Sequence, residues 1–230
     1  MCRFHFRTLP VLLLIMLALL LVPAWNQSWT YNENGRLASG LIYLRFGDYS
    51  IFHVNPPLVN SIGAVPAAIA NAHCPERKDL GFSSFGRSEY RAGILFDKFN
   101  DNHRLLIFSG RSMCILLVIL CVPVYYTYAG KIYGKGSSLA ALLILIFSPW
   151  ILGYAPLIVP DVPSALLALL SLFCFRLWLK DPKWDNVFLA GFALGIAELS
   201  KFTLLIFYPL FIFMPLYQNL WVISGSGKSP

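Results

Sequence analysis

The sequence predicts an all-α, polytopic membrane protein with about six transmembrane helices and one outer loop carrying interfacial amphipathic helices. Three observations point there. Charged residues make up 13% of the chain, whereas soluble domains carry about 25%. Hydrophobic residues reach 57% and gather in runs suited to a hydrocarbon core about 30 Å thick. Aromatic residues reach 15%, and Trp25 and Trp29 follow the first run, where an interfacial belt belongs.

The first run, Leu9–Ala24, follows a basic start with Arg3 and Arg7. A signal peptide begins similarly, but no clear small-residue cleavage site follows, so residues 1–25 read as a retained first span. Residues 26–104 form the outer loop. In it Leu37, Leu41 and Leu44 recur at helical spacing, with Arg36 and Arg45 elsewhere on the surface. Leu58, Ile62, Val65 and Ile69 repeat likewise, interrupted by Pro66. Both segments are expected to lie along a membrane surface. Ala72–Asn102, rich in charge, Gly and Ser, reads as irregular. Residues 105–223 hold the remaining spans: Leu105–Ala129, Ser137–Tyr154 with an interruption near Pro149, Val162–Leu179, the short Val187–Leu199, and Phe202–Ile223. Residues 224–230 form a polar tail.

The formal charge of +7 is scattered through loops between apolar runs, where it sets topology and meets anionic lipid. It does not point to nucleic acid. Among the five cysteines, Cys114, Cys121 and Cys174 sit inside apolar runs and act as small hydrophobes. No CxxC spacing supports a zinc site or a disulfide framework. Gly225-Ser226-Gly227-Lys228-Ser229 fails as a phosphate loop, because Val222 stands where the pattern requires Gly. Gly191 and Gly195 form a GxxxG, which is expected to serve close helix packing.

The short connections carry Arg3 and Arg7, then Lys131 and Lys135, then Arg176, Lys180 and Lys183. If every span crosses, these fall on one side, which the positive-inside rule assigns to the cytoplasm together with the N-terminus. Odd-numbered spans then deliver Asn32, Glu33, Asp161 and Lys201 to the outer face, and Arg111 lies near the outer end of the second span. Ionisable residues kept near a membrane core are often functional. Each also has a plainer reading: Glu33 as a solvated loop carboxylate, Asp161 as a helix cap, Lys201 as a snorkelling lysine or the partner of Glu198, and Arg111 as an interface anchor. A transporter is disfavoured, since four of the six spans lack acids in their middles.

Asn32-Glu33, Gly40, Leu44-Arg45-Phe46-Gly47-Asp48-Tyr49 and Asn55-Pro56-Pro57-Leu58 resemble the first outer loop of GT-C glycosyltransferases. The bacterial branch related to protein mannosyltransferases and aminoarabinose transferases is the most similar. Tyr133-Gly134, Ser148-Pro149, Asp161 and the segment from Gly191 to Lys201 extend the resemblance over nearly the whole chain.

The resemblance implies transfer of a sugar from a polyprenyl-phosphate carrier to an acceptor hydroxyl outside the cytoplasm. The setting is a bacterial inner or plasma membrane. The acceptor is a protein, lipid or glycan. Glu33, Asn32 and Asp161 are then the expected catalytic residues, and Lys201, Arg111, Asp48 and Asn55 the expected substrate contacts. No residue is assigned to a metal and no cofactor is named with certainty, while a divalent metal stays open. Asn32 stands where the family carries Asp, which leaves a catalytically inactive, carrier-binding or partner-binding protein as the alternative. Family members usually run considerably longer, so the chain is expected to be an N-terminal half.

Overall fold

A computed structural model describes residues 2–30, 32–80 and 88–223, and these contain helices and connections without strands. The expected polar tail, 224–230, lies outside the described residues. The helices are α1 (Cys2–Asn26), α2 (Glu33–Phe46), α3 (Leu58–Ile69), α4 (Arg77–Leu80), α5 (Ser88–Phe99), α6 (His103–Tyr133), α7 (Lys135–Ile146), α8 (Pro149–Tyr154), α9 (Asp161–Lys180), α10 (Trp184–Glu198) and α11 (Phe207–Ile223). A 3-10 turn, Phe202–Ile206, leads into α11.

Among the described residues, three helical segments are long and apolar enough to cross a membrane: Thr8–Asn26, His103–Tyr133 and Asp161–Lys180. At 1.5 Å per residue, α6 with its 31 residues runs about 46 Å and must extend beyond the hydrocarbon. It joins two cores. Its middle, Ile115, Val118 and Val122, packs with Met16 and Leu20 of α1, Leu142 and Ile146 of α7, and Leu166 of α9. Its first turns carry Leu106 and Ile107 into a second core with Leu37 and Leu41 of α2, Val59 of α3 and Phe96 of α5.

The third expected span is broken. Helix α7 stops at Ile146 and α8 starts at Pro149. Proline disfavours helical geometry in the residue before it, and Ser148 is extended at φ −66°, ψ 121°.

The outer loop differs from expectation in two places. Helix α2 does not lie on a surface: all eleven residues from Glu33 to Tyr43 are buried, Arg36 included. Helices α3 and α5 flank it, and two glycines let them approach. A Cβ at Gly40 would stand 2.0 Å from the carbonyl oxygen of Asn60, and one at Gly35 would stand 2.7 Å from that of Glu89. On α3 the buried face is the small-residue one, Val59, Gly63, Ala64 and Ala67, while Ile69 of the expected stripe is exposed. The second difference is α5, a helix where an irregular loop was expected. Ala92, Leu95 and Phe96 pack into the outer core. Asn100 fastens its end, donating from Nδ2 to the carbonyls of Phe96 (2.8 Å) and His73 (3.0 Å) and accepting from the His73 amide (2.8 Å).

Candidate functional site

Two ion pairs of like composition occupy the same end of the helix assembly, and their surroundings differ. The first joins Glu33 in the first turn of α2 to Arg111 on α6. Arg111 Nε reaches Glu33 Oε1 at 2.9 Å and Nη2 reaches Oε2 at 2.6 Å. The side chains are 2% and 0% exposed. Helix α1 ends with carbonyls that have no intrahelical partner, and Arg111 takes up that end. Nη1 donates to the oxygens of Ala24 and Gln27, both at 2.9 Å, and Nη2 to that of Ser28 at 3.0 Å. All five N–H donors of a guanidinium are thereby used.

Glu33 is equally committed. Oε2 also accepts from the Thr30 amide (2.8 Å) and hydroxyl (3.2 Å), and Oε1 accepts from the Ile158 amide (3.1 Å). The pair thus fixes the end of α1, the start of α2, α6 and the segment before α9 to one another. Glu33 has no lone pair directed at solvent and Arg111 no spare donor. The roles expected of them, a general base and a phosphate contact, do not fit this geometry.

The second pair is open. Helices α9 and α10 form an antiparallel hairpin through residues 181–183, so the first residue of α9 and the residues just past α10 meet at one end. There Lys201 Nζ donates to Asp161 Oδ1 at 2.7 Å, with the side chains 31% and 38% exposed. The amide of Leu58 donates to the carbonyl of Leu199 at 3.1 Å, holding the Asn55-Pro56-Pro57-Leu58 segment against this same end.

That segment separates two cavities. One, of about 220 Å³, is lined by Tyr43, Tyr49, Phe52, His53, Asn55, Pro56, Pro57 and Phe202. The other is an apolar groove of about 610 Å³ between Pro56, Pro57, Phe192, Gly195, Ile196, Glu198, Leu199, Phe202 and Leu205. They share Pro56, Pro57 and Phe202, and Phe202 follows Lys201 directly. Asn55 is therefore a wall of the smaller cavity. Asp48 is set back from it, accepting from the amide (2.9 Å) and hydroxyl (2.6 Å) of Ser50. Asn32 is exposed at the N-cap of α2, with no side-chain capping bond. Among the described residues, no three His, Cys, Asp or Glu side chains come together as a metal site would require.

One charged residue at this end was placed on the surface by the sequence reading. Arg36 is only 9% exposed, and its guanidinium stands 4.8 Å from the centroid of the Phe52 ring. Burial lowers its pKa below the ordinary arginine value, opposed most strongly by the charge of Asp161. Burial also pushes the neighbouring Tyr43 hydroxyl up to about 12; it donates to the Phe52 carbonyl at 3.2 Å. The sequence carries no signal for the burial of Arg36, which comes from the packing of α3 and α5 against α2.

Comparison with curated proteins and with solved structures finds no match. A family model, dolichyl-phosphate-mannose-protein mannosyltransferase, matches residues 103–224, just over half of the chain. That stretch contains Arg111, Asp161, Lys201 and the helices that place them. The chain belongs to the dolichyl-phosphate-mannose-protein mannosyltransferase family.

Proposed function

We propose that this chain is a membrane glycosyltransferase that moves a sugar from a polyprenyl-phosphate carrier to an acceptor hydroxyl at the non-cytoplasmic face. Family membership supplies the coarse activity, glycosyl transfer from a lipid-linked donor in a membrane. The observation that carries the finer reading is the open Asp161–Lys201 pair at the junction of a small cavity and an apolar groove. Such a donor has three parts: an apolar chain, a phosphate and a sugar. The groove suits the first carrier units, and the smaller cavity, walled by Tyr43, Tyr49 and Asn55, suits the sugar.

In this reading the acceptor oxygen attacks the anomeric carbon as the bond from that carbon to the carrier phosphate oxygen breaks. The hydroxyl proton passes to the Asp161 carboxylate, and the electron pair leaves with the phosphate. A positioned base contributes about 10²–10⁴-fold. The leaving phosphate gains charge, and Lys201 Nζ stabilises it there. Glu33 and Arg111 are positioning residues, acting through the helix ends they hold. Substrate contact falls to Lys201 and Asn55, with Asp48 shaping the loop behind them.

A second reading, an inactive carrier-binding protein, draws on Asn32, an amide where the family places a carboxylate. The test uses the full chain in liposomes, supplied with polyprenyl-phosphate mannose and a hydroxyl acceptor. The expected result is sugar transfer that Gly195→Trp abolishes. A Cβ at Gly195 or Gly191 meets nothing within 4 Å, so these glycines do not make the close helix contact expected of a GxxxG, and the indole at Gly195 projects from the groove lining. Transfer undiminished by Gly195→Trp removes the groove assignment. Transfer absent from the natural chain and restored by Asn32→Asp establishes the second reading instead.

A further inference from the structure

We infer that the seam between α6 and α9, at the end opposite the candidate site, seats the headgroup of an anionic phospholipid through Lys131, Arg176 and Lys180. Helices α6 and α9 pack side by side and run the same way, since Arg111 and Asp161 both belong to the candidate-site end. At about 1.5 Å per residue, Lys131 lies about 30 Å beyond Arg111 along α6, and Lys180 about 28 Å beyond Asp161 along α9. That is one hydrocarbon thickness, so the seam reaches headgroup depth in the opposite leaflet. Lys131 Nζ stands 4.9 Å from the centroid of the Phe173 ring. Tyr128, one turn before Lys131, meets the same ring edge-on at 5.4 Å. Phe173, Arg176 and Lys180 recur at helical spacing on one face of α9, so the face that meets Lys131 also carries the other two cations.

No acid answers these charges. Among the described residues, none of the three has an ion pair or a hydrogen-bonded side-chain partner. Of the nearby acids, Asp181 is bonded to Lys183 at 2.8 Å, and Asp185 stands in the first turn of α10, where a helix N-terminus favours it. Arg176 and Lys180 are a like-charge pair one turn apart, which destabilises a helix. Nor do the cations cap the carbonyls of Gly130 and Leu177, which already accept from the amides of Gly134 (3.1 Å) and Asp181 (3.0 Å). An anion with several oxygens, shared by both helices, relieves the seam. Its depth selects the source. Arg176 is half-buried and lies one turn, about 6 Å, inward of Lys180. An anion at that level arrives attached to acyl chains, and basic pockets between spanning helices are suited to such headgroups.

The inference does not depend on the proposed reaction. Its test is native mass spectrometry of the full chain, released from detergent containing equimolar dioleoylphosphatidylglycerol and dioleoylphosphatidylcholine. The natural chain is expected to retain phosphatidylglycerol in preference. Lys131→Gln, Arg176→Gln and Lys180→Gln should each weaken its binding about fivefold, the worth of one cation against an anionic headgroup, and leave phosphatidylcholine unchanged. Lys183→Gln removes the same charge at the same end, but from a cation already paired with Asp181, and should change neither. In phosphatidylcholine nanodiscs, where no anion is lost, all four variants should melt with the natural chain.

Four outcomes overturn the assignment. Lys183→Gln weakening phosphatidylglycerol as much as Arg176→Gln would reduce the seam to diffuse surface charge. A preference that survives the triple variant would place the lipid elsewhere. Displacement by equimolar inorganic phosphate would make the ligand a free anion. A lowered melt in phosphatidylcholine, with binding of both lipids lost, would make the cations structural.

Discussion

Replacing Glu33 by Gln should cost this protein much of its stability. The carboxylate receives two bonds from Arg111, two from Thr30 and one from Ile158. Glu33→Gln leaves the Arg111 charge in place, buried, without its counter-ion. Removing one partner of a buried pair costs about 3–5 kcal/mol. For a chain of this size, 1 kcal/mol moves the midpoint by about 2–4 °C, so the expected drop is about 6–20 °C. Arg111→Met should fall toward the larger end, because it also frees the carbonyls of Ala24, Gln27 and Ser28. The double variant should lose less than the sum of the two, with a coupling of about 0.5–3 kcal/mol. Thermal melts in nanodiscs, followed by far-ultraviolet circular dichroism, measure all four proteins. The clamp argument is refuted if Glu33→Gln melts with the natural chain while sugar transfer disappears; Glu33 would then act on the substrate itself.

Two further variants separate packing from chemistry. Gly40→Ala puts a methyl group 2.0 Å from the Asn60 oxygen and 2.9 Å from the Ala64 Cβ, so α2 and α3 must part. Overpacking of this kind costs about 1–3 kcal/mol, and the melt should fall by several degrees. Asp161→Asn should behave oppositely. Its pair with Lys201 is about a third exposed and is worth no more than about 1 kcal/mol, so the melt should move by only a few degrees. Transfer from polyprenyl-phosphate mannose should fall by about 10²–10⁴-fold, the contribution of a positioned base.

The membrane framework was legible because hydropathy and length act locally. The runs 9–24, 105–129 and 162–179 contain the features that make α1, α6 and α9: an apolar stretch of spanning length and favourable ends. Breaking the third span at Ser148-Pro149 was legible too, since Pro149 acts on the residue before it. Helix α2 was not. Leu37, Leu41 and Leu44 give an amphipathic stripe, but what buries the opposite face is contact with α3 and α5 through Gly40 and Gly35, and no local pattern reports a partner. The same limit applied to α5, whose Ala92, Leu95 and Phe96 spacing was diluted by Glu89, Arg91, Gly93 and Asp97. At the site, Asp161 and Lys201 reach one end because α9 and α10 fold back on each other through residues 181–183. The sequence does not say which acid takes which base. Glu33 and Arg111 lie 78 positions apart, and their mutual saturation, like the burial of Arg36, exists only in three dimensions.

The contrast between the two ion pairs carries the functional argument further than either pair alone. Both consist of one carboxylate and one cation. The Glu33–Arg111 pair has every donor of its cation engaged and no exposure to speak of, so it can fix helix ends but cannot exchange partners without undoing them. The Asp161–Lys201 pair has one bond between its members and a third of each side chain open, so either member can turn to a substrate at small cost. Arg36 is a third cation at this end, buried and facing the charge of Asp161. A sequence selected for stability alone would neutralise Arg36 and close the Asp161 pair. Keeping both beside a rigid, fully satisfied clamp is the pattern of a site that gives up stability for chemistry. Under the proposed function, Arg111 holds the frame and Lys201 meets the charge that develops as the sugar leaves. Arg111→Met should then lower the melting temperature before it touches the rate of bound complexes. Lys201→Met should do the reverse, lowering turnover at saturating donor. A loss confined to donor affinity in the Lys201 variant would collapse the distinction.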